Sequence, residues 1–292
     1  MGKNVIQRRL VYVAFVGPML VLFFMFIFIP FIRSILYSFQ DWDGIRSEIH
    51  WVGWKNYIGL FKDSNFARTI TFTLKYVAAT VIAYNVLGLL LAVTLNTGLK
   101  MRNFLRTAFF LPTVMGLVVV GFLWNFIIKH MFPQLGQFMG IDLLKDNWLS
   151  LPSHSFWAII IVTVWHGLGY YMIIYLAGLQ GVSSDLKEAA EIDGAGKLTL
   201  FWSIILPLIR PSITICVFLS IVHGFKSFDL NYSLTMGGPY GTTESISYQI
   251  YQDAFSSDLF SYASAKAVIF FLILALFSVT QVALMKRKEV EA

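Results

Sequence analysis

Five histidines, His50, His130, His154, His166 and His223, are scattered without the spacing that zinc ligands need. No serine sits in a Gly-x-Ser-x-Gly elbow, and no glycine-rich phosphate loop ends in Gly-Lys-Ser/Thr. The single cysteine, Cys216, falls in an apolar run and excludes an internal disulfide. Covalent catalysis is therefore not indicated, and any nucleotide that powers this chain is expected on another subunit. The chemistry that remains is non-covalent. Polar or aromatic groups lie within or beside apolar stretches at Asn85, Trp124, Asn125, Trp165, His166, Tyr170, Lys226, Asp229 and Asn231, with Lys75, Tyr84, Tyr171, His223 and Ser227 near them. Inside a bilayer such groups face protein or water rather than lipid, so they are candidate contacts for a polar solute. The competing use is helix–helix hydrogen bonding, worth about 1 kcal/mol or less. Lys226 and Asp229, three residues apart, read as a helical ion pair.

The elements that must position these groups follow from composition. Of 292 residues, 57% are hydrophobic and 13% charged, against about 25% charged in soluble domains, and the mean hydropathy is +0.70. The chain reads as an all-α membrane protein of one domain, 1–292, with six transmembrane helices at about 10–35, 69–97, 106–129, 155–180, 203–224 and 262–285. The first uncharged run, 10–32, is too long for a signal-peptide core. The fifth is cut by Arg210 and interrupted by Pro207 and Pro211, so Arg210 is expected at the membrane surface. A net charge of +6 carries no basic patch interleaved with aromatics, which argues against nucleic acid. The cations gather instead in short segments: Lys3, Arg8, Arg9; Lys100, Arg102, Arg106; Lys187, Lys197, Arg210; Lys286, Arg287, Lys288. The positive-inside rule then places both termini in the cytoplasm. The first outer segment is expected to form a small cap or an interfacial helix near Trp54 to Lys62.

Between spans four and five lies a polar stretch, 184–206, that is built to be helical. Asp185 and Glu188 have capping-box spacing, with Asp185 as the cap and Glu188 reaching back. Ala189 and Ala190 are strong helix formers, Gly194 permits a left-handed bend, and a second helical run from Lys197 leads into Pro207. Glu188, Ala189, Ala190, then Gly194, then Ile204, Leu206 and Pro207 resemble the cytoplasmic EAA loop of bacterial ABC importer permeases. A second set of residues is similar to the sugar-importer branch of that family, and more narrowly to the first, MalF-like permease subunit. It comprises Leu234, Met236 to Pro239, Thr243, Glu244, Tyr248, Ile250, Tyr251, Ala254 and Phe255, with Phe110 to Pro112, Trp124 and Tyr262 to Ala265. The likeness extends from about residue 10 to 285. Without the extra N-terminal spans and large outer domain of the maltose permease, the chain resembles the short six-span type.

The resemblance implies a permease of an ATP-driven importer for a sugar or oligosaccharide in the bacterial cytoplasmic membrane. Its implied partners are a second, MalG-like permease, two ATPase subunits that carry ATP and Mg, an extracytoplasmic sugar-binding protein, and membrane lipid. The loop residues would form coupling helices on the ATPases. Asn, Tyr and Trp among the candidates suit carbohydrate, which offers hydroxyls for hydrogen bonds and C–H faces for aromatic rings. Two other readings remain at this point. A glycerol-phosphate ester would favour a basic outer cavity, for which Lys75 and Lys226 are available. An ion-coupled secondary transporter would need inverted repeats and several broken helices, and only span five looks interrupted.

Overall fold

The computed structural model describes residues 2–97 and 99–286, with side chains assigned from residue 12 to 285 except Gly98. Arg287 and Lys288 lie outside the described residues, as do the side chains of Lys3, Arg8, Arg9 and Lys286. Where one domain is expected, the chain groups into two compact units, residues 1–63 with 250–271 and residues 64–249 with 272–292.

The first unit begins with helix α1, residues 2–37, which contains a π turn at Phe24–Phe28. Its apolar stretch from Tyr12 to Tyr37 is 26 residues long, about 39 Å at 1.5 Å per residue. Within its most apolar window no side chain is buried. A two-stranded hairpin follows, β1 (Gln40–Asp41) antiparallel to β2 (His50–Trp51). Its turn is held by Asp43, which accepts from the backbone N–H groups of Arg46 (2.8 Å) and Ile45 (2.9 Å). Those two N–H groups also hold the Asp43 carboxyl below the usual range, the Arg46 N–H contributing most. Helix α2, Lys55–Lys62, occupies the position expected for an interfacial helix.

In this unit Lys266 is 1% exposed. Its Nζ lies 2.6 Å from Asp253 Oδ2 and 3.6 Å from Asp63 Oδ2, and the Tyr262 hydroxyl donates to Asp63 Oδ2 at 3.1 Å. A buried cation is tolerable only with such partners.

The second unit is a helical bundle. Helix α3, Ser64–Leu95, packs along α6, Pro152–Gln180, and against α9, Arg210–Phe225. Its end is satisfied by Arg106, whose guanidinium donates to the Leu95 carbonyl at 3.1 Å. Arg106 belongs to α4, Arg102–Phe110. The stretch expected to cross as one helix over 106–129 is broken. After α4 comes a 3₁₀ turn, Leu111–Val114, then extended residues Met115 and Gly116, and only then α5, Leu117–Met139. Pro112 supplies no N–H to continue α4, so the chain resets before it crosses. The backbone of α4 then runs against α6 at Gly169, where a Cβ would collide with the Phe109 carbonyl oxygen and Phe110 Cα.

Helix α7, Ser184–Ile192, leads to α8, Lys197–Leu208, which meets α9 at a 68° bend. The bend falls at Ile209, just before Pro211, which cannot donate to the preceding turn. The described residues thus hold five helices long and apolar enough to cross a membrane, or six if the bent pair counts as one. Helix α10, Ile246–Phe255, precedes α11, Phe260–Lys286.

Candidate functional site

Helices α3, α6 and α9 and the segment after α9 line an open cavity of about 500 Å³. Its wall follows helical spacing. From α3 come Tyr76, Thr80 and Tyr84, at four-residue steps, and from α6 come Thr163, His166, Gly167, Tyr170 and Tyr171. Thr113 and Leu117 lie on one side, and His223, Gly224 and residues 226–230 close the other.

The wall is cross-bonded. The Tyr76 hydroxyl lies 2.8 Å from Thr163 Oγ1, and the Tyr84 hydroxyl donates to the Thr163 carbonyl at 2.8 Å. Tyr84 and Tyr171 stack at 4.3 Å between ring centroids, and the Tyr171 hydroxyl meets His223 Nδ1 at 3.0 Å. His166 is tied to the broken stretch twice. Its carbonyl accepts from Thr113 Oγ1 at 2.8 Å, and its Nε2 lies 2.9 Å from the Met115 carbonyl. A carbonyl only accepts, so that ring nitrogen carries the proton. The helix break therefore supplies the acceptor that orients the imidazole.

The sequence-derived candidates divide here. His166, Tyr170, Lys226 and Asp229 line the cavity. Asn85, Trp124, Asn125, Trp165 and Asn231 are not part of its wall. Asn85 accepts from the Tyr175 hydroxyl (2.5 Å) and donates to Val81 O and Ser220 Oγ, joining three helices. Asn125 donates to the Leu234 carbonyl at 2.6 Å, and Trp124 packs edge-on against Trp165 at 5.4 Å. Asn231 is fully buried, accepts from Ser227 Oγ and donates to the Thr243 carbonyl, which anchors the 236–243 loop. The helical pairing expected of Lys226 with Asp229 is absent. Helix α9 ends at Phe225, so the i, i+3 geometry is lost, and no ion pair joins them among the described residues. Tyr76, Thr80, Thr113 and Thr163 were missed as wall residues. The regular four-residue step of hydroxyls at 76, 80 and 84 is the signal that could have found the first two.

The loop residues form a second, separate feature. The cap of α7 is Ser183, whose Oγ accepts from the Asp185 N–H at 3.2 Å. Asp185 therefore sits inside the first turn and not at the cap. Helix formation starts earlier than the capping-box reading requires, because Ser183 is itself a good cap. Glu188 and Ala189 are exposed, and Ala190 is buried. The helix closes with paired bonds, Gly194 N–H to Glu191 O (3.1 Å) and Ala195 N–H to Ala190 O (2.9 Å). This is the Schellman pattern, and Gly194 supplies its left-handed residue at φ +84°. Ile204, Leu206 and Pro207 lie half-buried in α8.

No group of three or more metal-binding side chains occurs among the described residues. The arrangement can hold a polar solute between hydroxyls, imidazoles and aromatic rings. A family model described as the inner membrane component of binding-protein-dependent transport systems matches residues 84–290. The chain belongs to that family. As such a permease, it is 42% identical over 280 residues to the probable starch degradation products transport permease AmyD of Thermoanaerobacterium thermosulfurigenes, covering 96% of this chain and 95% of the relative. It is 35% identical to the multiple sugar-binding transport permease MsmF of Streptococcus mutans, over 93% of each chain. The fold of the permease matches a chain of a bacterial ABC transporter involved in alginate import, with TM-score 0.85, 22% identity and 98% of both chains covered. It is a multi-pass membrane component of a transport system that depends on a binding protein.

Proposed function

We propose that this permease forms half of the translocation path of an ATP-driven importer for a sugar or oligosaccharide. The observation that carries the reading is the cavity, where tyrosines, threonines and two histidines surround about 500 Å³, with Lys226 and Asp229 its only formal charges among the described residues. A neutral polyhydroxylated solute matches that wall, with hydroxyls for its hydrogen bonds and rings for its C–H faces. The sugar-transport descriptions of the relatives support the same solute class.

The α7–α8 loop is the coupling element in this reading. Glu188, Ala189 and Ala190 lie in a short, mostly exposed helix whose exit is set by Gly194, and Ile204, Leu206 and Pro207 lie between it and α9. ATP and Mg bind to two partner ATPase subunits, whose closure moves the loop and exposes the path alternately to each side. Solute and ATPase are then linked through one two-state element. A second, MalG-like permease completes the path, an extracytoplasmic binding protein delivers solute, and both termini face the cytoplasm of a bacterial cell.

The test is ATP hydrolysis by the reconstituted complex with its binding protein across a panel of oligosaccharides and glycerol-phosphate esters. Expected is stimulation by a sugar. Glu188→Ala with Gly194→Val abolishes it while the complex stays assembled, and Tyr170→Ala weakens it by raising the sugar concentration required. Stimulation by a glycerol-phosphate ester alone would replace the solute class, and hydrolysis indifferent to the loop would remove the coupling assignment.

A further inference from the structure

A second pocket of about 410 Å³ lies in the same unit between α3 and the start of α6. It holds no residue of the cavity wall and has a different character. Arg68 and Lys75 line it from α3, and Phe156 and Trp157 line it from α6. The two cations are seven residues apart, two turns of one helix face, or about 10 Å along the axis. Among the described residues no carboxylate lies within ion-pair distance of Lys75. Arg68 reaches Glu244 only at 3.9 Å, and its side chain keeps 45% exposure. The guanidinium rests against the loop at Gly241, where an added Cβ would strike it.

What continues from the pocket decides its occupant. Lys75 is the last charge before the uncharged run 76–99, which places it where headgroups meet hydrocarbon. The same helix face continues from Arg68 and Lys75 to exposed Ile82, seven residues on. On α6, Trp157 is 54% exposed and Ile161, one turn further, is exposed too. Aromatic side chains favour this depth, and a basic recess between membrane helices suits an acidic headgroup. A soluble phosphate would use the cations and leave the apolar tracks unused.

We propose that this recess binds an anionic glycerophospholipid, its phosphodiester between Arg68 and Lys75 and its acyl chains along the Ile82 and Ile161 tracks. The lipid class rests on this geometry alone. Its leaflet, the outer one, rests on the orientation proposed above.

The experiment is native mass spectrometry of the purified complex titrated with phosphatidylglycerol, phosphatidylethanolamine and glycerol 3-phosphate. Expected is preferential retention of phosphatidylglycerol, weakened roughly 30-fold in Arg68→Ala/Lys75→Ala. The charge-conserving pair Arg68→Lys/Lys75→Arg retains it, and Lys75→Gln gives a partial loss in a milder variant. Unchanged phosphatidylglycerol affinity in Lys75→Gln and the double variant overturns the proposal. So does glycerol 3-phosphate binding as tightly as the lipid, which would make the recess a soluble-anion site. Sugar-stimulated hydrolysis, measured on the same samples, reports separately on the transport reading.

Discussion

The cavity wall and the α7–α8 loop sit in one compact unit and are made by opposite means. Around the cavity, three helices separated by tens of residues lock through tyrosine hydroxyls, as in Tyr84 to Thr163 and Tyr175 to Asn85. Where α4 and α6 touch, glycine lets backbones meet. The loop depends on neighbours within a dozen positions: Ser183 opens α7, Gly194 closes it, and most side chains between them face outward. Damage to the wall should therefore cost fold. Damage to the loop should cost coupling and leave the fold.

The sharpest break of that contrast is Gly169→Ala. Its Cβ would meet backbone atoms of Phe109 and Phe110, which cannot rotate away as a flexible side chain can. A destabilisation of about 3 kcal/mol is expected, read as loss of assembled complex and a lower Tm in detergent. An unchanged Tm would mean that α4 and α6 separate easily.

Gly194→Val is the matching test on the loop. Nothing lies within 4 Å of the added Cβ, so the whole effect is backbone strain at φ +84°, about 1–3 kcal/mol confined to the end of α7. The bundle's Tm should stay within a degree or two of wild type, and solute-stimulated ATP hydrolysis should fall. A large drop in Tm would show that the loop is part of the core after all.

Smaller effects refine the comparison. Tyr175→Phe removes the hydroxyl bonded to Asn85 without touching the cavity wall. It should lower stability by about 1 kcal/mol and leave solute selectivity unchanged in an uptake assay. Ser183→Ala should cost about 0.5–1 kcal/mol at the α7 cap, visible as faster amide exchange at Asp185 with the bundle unaffected. If Asp185→Ala had the larger effect instead, the cap assignment would be reversed.

Legibility in the sequence follows the same division. Glu188, Ala189, Ala190 and Gly194 could be read in advance because a short helix and its glycine exit are local, written in adjacent residues. The one local error, Asp185 in place of Ser183 as the cap, came from choosing between two good capping residues two positions apart. The wall was only partly readable. His166 and Tyr170 stood out as polar groups in an apolar run, while Asn85 and Asn231, also candidates, are spent on joining helices and anchoring a loop. Residue type shows that a buried amide needs partners. It does not show whether those partners are protein or solute.

Composition and periodicity by themselves determined that this chain is a helical membrane protein, and that 184–206 is a capped helical loop between apolar spans. Those properties depend on transfer free energy and on hydrogen bonds closed within one turn. Tertiary structure alone decided that the third apolar stretch breaks at Met115 and Gly116, and that its freed carbonyl orients His166. It also decided that Lys226 and Asp229 part company, and that Arg68 and Lys75 open on a recess of their own. Each of these depends on which face of one helix meets which face of another, and that information is held in the packing of distant segments.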